Sequence, residues 1–465
     1  MKKLFLVSLA FAALTANAQK QGGISGDMLK KIEQNQTMSK AERAIANAIA
    51  LNPINDLAKS ANTLYSVDND FCIETSKQSI HNQKSSGRCW MFSSMNVLRS
   101  RFARDNKDTL AVEYSQSYLF FYDQLEKANL FLQGVINTAG KSMDDPEVKF
   151  FFKAPLSDGG TFCGIVDLTA KYGLVPKCVQ PETYQSENTK LMGQVIESKL
   201  REYGLELRKM VADKKKTAAI EGRKTEMLST VYRLLSLTLG APVKQFNYAH
   251  RNKKGQIVGE EKTYTPQEFF NETVGKPVDG TFAMLMNDPR KPYYKVYEVE
   301  YDRHTYDGHN WRYINLPMED IEAIAIESLK DNQKMYSSYD TGKQFDRKRG
   351  IMSLDTYDYA SLFGTEFPMT KAERISTFES VSAHAMTLVA VDIDKNGKAT
   401  KWKVENSWGT DTGVNGYAIM TDEWFREYMF RLVVDKKYVP ENILKLENEK
   451  PTMISYDDPL FGEDE

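Results

Sequence analysis

The chain has 465 residues, 41% of them hydrophobic, 11% aromatic and 27% charged. That composition supplies a large apolar core and excludes the disordered, collagen-like and coiled-coil classes. With 61 Lys and Arg against 63 Asp and Glu the net charge is −2, which removes any global electrostatic case for nucleic acid as a partner.

Residues 1–18 read as a secretory signal. Lys2 and Lys3 form its charged start, residues 4–14 its apolar stretch, and Ala16-Asn17-Ala18 its small-residue cleavage site. Cleavage after Ala18 starts the mature chain at Gln19 and leaves 59 basic against 63 acidic residues. The apolar stretch is too short to span a bilayer, and no later run approaches eighteen apolar residues. The expectation is therefore an exported protein, periplasmic or extracellular, with no membrane attachment once the signal is gone.

Residues 19–70 are polar with a helix over 40–51 and read as an N-terminal arm. Residues 71–184 carry a polar loop, Gln83-Lys84-Ser85-Ser86-Gly87-Arg88, that turns into a helix near Cys89. An aromatic-rich helix follows over 113–132. The loop Ser157-Asp158-Gly159-Gly160 precedes a third helix ending around Tyr172-Gly173. Residues 185–280 read as a mainly helical block of mixed charge, with Met227, Val231, Leu234, Leu235 and Thr238 making one apolar stripe and the charge run over 201–216 a solvated-face pattern. From 281 to 445 the signals turn to strands, with candidates at 385–391, 402–405 and 416–420. Residues 446–465 form an acidic C-terminal arm. Helices first and strands later predict an α+β fold.

No spacing typical of a zinc site and no Gly-rich phosphate loop occurs, so no metal or nucleotide cofactor is expected. Cys72, Cys89, Cys163 and Cys178 allow disulfides in an oxidising compartment or a reactive thiolate. A helix N-terminus and a neighbouring imidazolium both stabilise a thiolate, and Cys89 stands near a helix start. Of five histidines, His81, His250, His304, His309 and His384, the last enters an apolar strand where its ring can act as base and then acid. The amide oxygen of Asn406, 22 residues later, can orient His384, with Trp408 shielding the bond. Gln83, six residues before Cys89, can point its amide at an oxyanion, an interaction worth about 2.7–4 kcal/mol in the transition state.

These residues resemble the site of papain-like cysteine peptidases, and more closely the bleomycin hydrolase (aminopeptidase C) family. The wider group shares the stretch 83–92 and Asn406-Ser407-Trp408-Gly409. The narrower likeness lies in Ser157-Asp158-Gly159-Gly160, the stretches 171–177 and 371–374, His384-Ala385-Met386-Thr387 and the stretch 421–425. The resemblance implies a papain-like fold, a helical half plus a β-barrel-like half, enlarged by the 185–280 insertion, since Cys89 and His384 stand 295 residues apart. It also implies a homo-oligomer, hexameric in that family, acting on peptides as an aminopeptidase whose C-terminal arm lies in the cleft. Gly159 and Gly160 are expected to let a substrate backbone approach. With Cys89 the nucleophile, three cysteines remain, and a Cys163–Cys178 disulfide is one option. A papain-like endopeptidase, a Cys-His acyltransferase and a non-catalytic peptide-binding protein are the alternatives.

Overall fold

The computed structural model describes residues 22–63, 67–275 and 280–461; the expected signal sequence lies outside them. The chain divides into two units. The first, described over 22–59 and 358–365, holds helices α1 (Gly26–Gln34) and α2 (Lys40–Leu51). Ser39 opens α2 with a reciprocal capping box: its hydroxyl accepts from the Glu42 amide while the Glu42 carboxylate accepts from the Ser39 amide. The 358–365 segment joins this unit through the Asp358 amide, which donates to the Ala58 carbonyl at 2.7 Å.

The second unit, 60–357 and 366–465, holds the two apolar cores. The first core is helical. Helices α3 (Cys89–Asp105), α4 (Gln116–Asn137) and α5 (Phe162–Tyr172) meet α6 (Thr189–Ala212) and α7 (Thr217–Leu239). The 185–280 stretch is woven into this core, because Ile196, Leu200, Leu207, Met227, Val231 and Leu235, at helical spacing, turn one apolar stripe of each helix inward.

A twelve-stranded sheet forms the other half. Its longer strands are β1 (Phe282–Met286), β2 (Lys295–Val299), β3 (Arg312–Asn315), β4 (Met335–Tyr339), β5 (His384–Ile393), β6 (Ala399–Glu405), β7 (Tyr417–Thr421), β8 (Met429–Asp435) and β9 (Thr452–Ile454). They lie in the order β9-β2-β3-β1-β8-β4-β5-β6-β7. Strand alternation assigns the faces. On β5, Met386 and Leu388 enter the second core with helix α8 (Met318–Lys330). Ala385 faces the helical core, and the Ser93 hydroxyl of α3 donates to its carbonyl at 3.0 Å. The α+β, papain-like architecture expected from the sequence is the one observed. The strand candidates at 385–391 and 402–405 fall in β5 and β6, and that at 416–420 falls in β7 except for Gly416, which lies in the turn before it.

Candidate active site

Cys89 is the first residue of α3. The turn ahead of it is fixed from outside: the Gly87 amide donates to Asp158 Oδ2 at 2.6 Å, and the Thr189 hydroxyl donates to the same oxygen at 2.5 Å. A Cβ on Gly87 would stand 2.3 Å from Asp158 Oδ1, so a larger residue would displace the carboxylate that holds the turn. Arg88, fully buried, pairs with Glu182 at 2.9 Å and lies over the Phe92 and Phe120 rings. No side chain caps α3. Met91 and Phe92 donate to the Arg88 carbonyl, while the amides of Cys89 and Trp90 ahead of them have no acceptor within the helix and present the positive end of its dipole beside the sulfur.

His384 opens β5, and its Nε2 lies 2.9 Å from Asn406 Oδ1. The Ser407 amide donates to that same oxygen at 2.8 Å. This bond identifies the oxygen end of the Asn406 side chain, so His384 Nε2 is the donor and Nδ1 is the ring nitrogen that can accept a proton. The Trp408 indole lies against the imidazole at 4.8 Å between centroids, covering the Asn–His bond.

Gln83 is tied to the same segment. Its amide N–H donates to the Ser407 carbonyl at 2.7 Å, its Oε1 accepts from the Ser407 hydroxyl at 2.5 Å, and its Nε2 donates to the Ser86 carbonyl at 2.5 Å. One Nε2–H then remains for an oxyanion. The 406–407 turn thus ties Gln83 and His384 to one segment, and Cys89 opens α3 with its sulfur drawn by the Ala385 amide, the residue after His384.

Burial opposes charge on both reacting groups. It pushes the Cys89 thiol up to about 11, against the pull of the Ala385 and Trp90 backbone amides. It pushes His384 down to about 4, against the lift from Asn406. The arrangement can therefore rest as thiol and imidazole and pass one proton between them when a substrate carbonyl is engaged.

Gly160 has a packing reason that the sequence reading did not contain. A Cβ there would stand 2.1 Å from His304 Cε1 and 2.9 Å from Trp90. His304 is itself buried and fixed, with Nδ1 2.6 Å from Asp123 Oδ1 and Nε2 accepting from the Thr161 amide at 3.1 Å. Lys127, 3.0 Å from Asp123, donates to the carbonyls of Ser157 and Gly159 at 2.9 and 2.5 Å. The Asp123–His304–Lys127 group thus braces the 157–161 loop. Its only sequence signal was an Asp and a Lys four residues apart within an aromatic-rich helix.

All four cysteines are free, which corrects the Cys163–Cys178 disulfide. Cys163 points inward from α5, 2.9 Å from the Thr161 hydroxyl, while Cys178 is exposed. The C-terminal arm passes close to the site. The Leu460 carbonyl accepts from the amide of Ser382, two residues before His384, at 3.3 Å, and Asp458 pairs with Arg290 and Lys291 at 2.6 and 2.9 Å. The last four residues of the arm lie outside the described ones. A cavity of about 870 Å³ behind α3, lined by Arg99, Glu113, Lys177, Arg251 and Lys253 among others, contains none of the four site residues. Among the described residues no group of His, Cys, Asp and Glu is placed to hold a metal ion.

A helix-borne thiol, a strand-borne imidazole and an orienting amide define the class of cysteine peptidases. The pattern of the Peptidase C1-like family matches residues 23–461, and the chain belongs to that family. It is 38% identical over 428 residues to an Aminopeptidase C of Lactobacillus delbrueckii subsp. lactis, covering 92% of this chain and 94% of the relative. It is 38% identical over 397 residues to the Bleomycin hydrolase of Homo sapiens, covering 82% and 85%. The crystal structure of pepw from Lactobacillus rhamnosis HN001 superposes with a TM-score of 0.89 at 36% identity, covering 95% of this chain and 99% of that one.

Proposed function

We infer that the protein is a papain-like cysteine aminopeptidase in which Cys89, His384, Asn406 and Gln83 carry the reaction. The observation that carries the assignment of residues is the His384–Asn406 bond on the strand whose next amide, that of Ala385, draws on the Cys89 sulfur. Cys89 Sγ attacks the scissile carbonyl as its proton passes to His384 Nδ1. The tetrahedral oxyanion takes hydrogen bonds from the remaining Gln83 Nε2–H and the Cys89 backbone N–H. His384 then protonates the leaving amine and a thioester forms. Water, deprotonated by His384, attacks the thioester through a second oxyanion, and Cys89 recovers its proton as the acid product leaves.

The names of the relatives and the approach of the C-terminal arm to Ser382 support action at free N-termini, and in this reading Gly159 and Gly160 are the positions along which a substrate backbone pairs. The test compares a free-amine aminoacyl reporter with its acetylated twin, using Cys89→Ala as control. Turnover of the free amine alone, abolished in the variant, is expected. Equal turnover of both would make the enzyme an endopeptidase, and persisting activity in Cys89→Ala would move the nucleophile elsewhere. Product analysis with an added amine acceptor separates hydrolysis from acyl transfer.

Export after cleavage at Ala18 and homo-oligomerisation, as a hexamer, complete the reading. The sequence pattern of residues 1–18 supports the first. The family resemblance supports the second, together with the exposed Ile24, Met28, Leu29 and Ile32 around α1. N-terminal sequencing of the exported protein and its mass in solution check them.

A further inference from the structure

A group of buried charges lies behind the site and takes no part in the steps above. Arg99, ten residues along α3 from Cys89, has a side chain 2% exposed. Its guanidinium makes five hydrogen bonds. Nε donates to Asn96 Oδ1 at 3.0 Å, and Nη1 donates to the Ser79 hydroxyl at 2.7 Å and Glu113 Oε1 at 2.8 Å. Nη2 donates to the Ser79 carbonyl at 2.6 Å and Glu405 Oε1 at 2.8 Å. The other Glu405 oxygen accepts from Lys334 Nζ at 2.7 Å, both side chains being closed to solvent. Asn96 Nδ2 donates in turn to the Thr387 hydroxyl at 3.2 Å.

Every one of these contacts touches a segment that carries a member of the site. Glu405 immediately precedes Asn406. Thr387, three residues after His384, pairs directly with Glu405 across β5 and β6. Ser79 leads into the loop of Gln83, and Arg99 shares its helix with Cys89. Alternation places Thr387 and Glu405 on the face turned toward α3. A slip of one residue would turn the other face of each strand toward the helix.

An apolar helix–sheet contact tolerates small slides. A planar five-donor fork fixes direction as well as distance. A buried ion cluster is costly to desolvate and persists only when fully hydrogen-bonded, and setting a register is the best-attested use of such groups. We propose that Arg99 and Glu405 are positioning residues, and that the Arg99–Glu405–Lys334 cluster sets the register of α3 against β5 and β6. That register decides where Asn406 holds His384 relative to Cys89. The proposal rests on the roles given to those three residues above.

Glu405→Gln in the full chain keeps the shape and removes the charge. Its kcat on the free-amine reporter is expected to fall about tenfold to a hundredfold, as for a misplaced reacting group, with KM unchanged within about twofold. The pH dependence of Cys89 alkylation by iodoacetamide should also shift, because Asn406 then holds His384 at a different place relative to Cys89. Arg99→Lys, which keeps the charge but loses the fork, should behave in the same direction. In an Asn406→Ala background Glu405→Gln should slow kcat little further, since both act through one contact.

A folded Glu405→Gln that melts earlier but keeps the wild-type kcat and alkylation profile would overturn the proposal. So would losses that multiply in the double variant. Should Glu405→Gln not fold, Arg99→Lys and Thr387→Val give the same readouts, with wild-type values in both overturning it. Full activity of Cys89→Ala would instead overturn the assigned reaction, so the two failures are distinguishable.

Discussion

Burial resists charge on both Cys89 and His384, the pair to which the proposed proton transfer is assigned. With the thiol pushed up to about 11 and the imidazole down to about 4, the singly protonated pair spans the pH range between those values. Below about 4, His384 is protonated while Cys89 keeps its own proton, so no base remains. Above about 11, both protons are gone and the leaving amine finds no acid. A plot of kcat/KM against pH is expected to be flat through neutrality with limbs near these values. In Asn406→Ala the acid limb should move to lower pH, because the Asn406 bond raises the His384 pKa. Gln83→Ala should lower kcat roughly a hundred- to a thousandfold, measured on the free-amine reporter.

At the scale of elements, the start of α3 was legible because a polar Gly-containing loop runs straight into Trp90, Met91 and Phe92. What holds that start was not. Asp158 reaches Gly87 and Thr189, 71 and 31 residues away, and no local pattern encodes either contact. Asp158→Ala leaves the Gly87 amide without its charged acceptor and should cost about 1.5–3 kcal/mol, read by denaturant unfolding, with slower alkylation of Cys89 as the helix start loosens. Likewise β5 and β6 were legible as apolar runs, whereas the register between them and α3 depends on Arg99 and Glu405, 306 residues apart. A mixed-charge surface and a buried ion cluster look alike in sequence until the fold decides which charges are enclosed.

For the whole molecule, the progression from helices to strands indicated the two-layer plan, and family resemblance supplied the rest. Within the enlargement over 185–280 the stripe of Met227, Val231, Leu234 and Leu235 was legible from its helical spacing and packs into or against the first core, whereas its partner helix over 189–212, whose charge reads as solvated, turns Ile196, Leu200 and Leu207 inward as well. The C-terminal arm is anchored by Asp458 to Arg290 and Lys291, which Asp288 also contacts. Asp458→Ala should free the arm and raise cleavage of the acetylated reporter relative to the free amine; an unchanged ratio would remove the arm from specificity.

The interlock of Gly160 with His304 joins positions far apart in the chain and makes them one unit of heredity. Gly160→Ala alone should overpack the loop at a cost of about 1–3 kcal/mol, seen as earlier melting, and His304→Ala should recover part of it. Neither position can drift alone: across descendants of this gene, any lineage that gains bulk at residue 160 should already have shed it at residue 304.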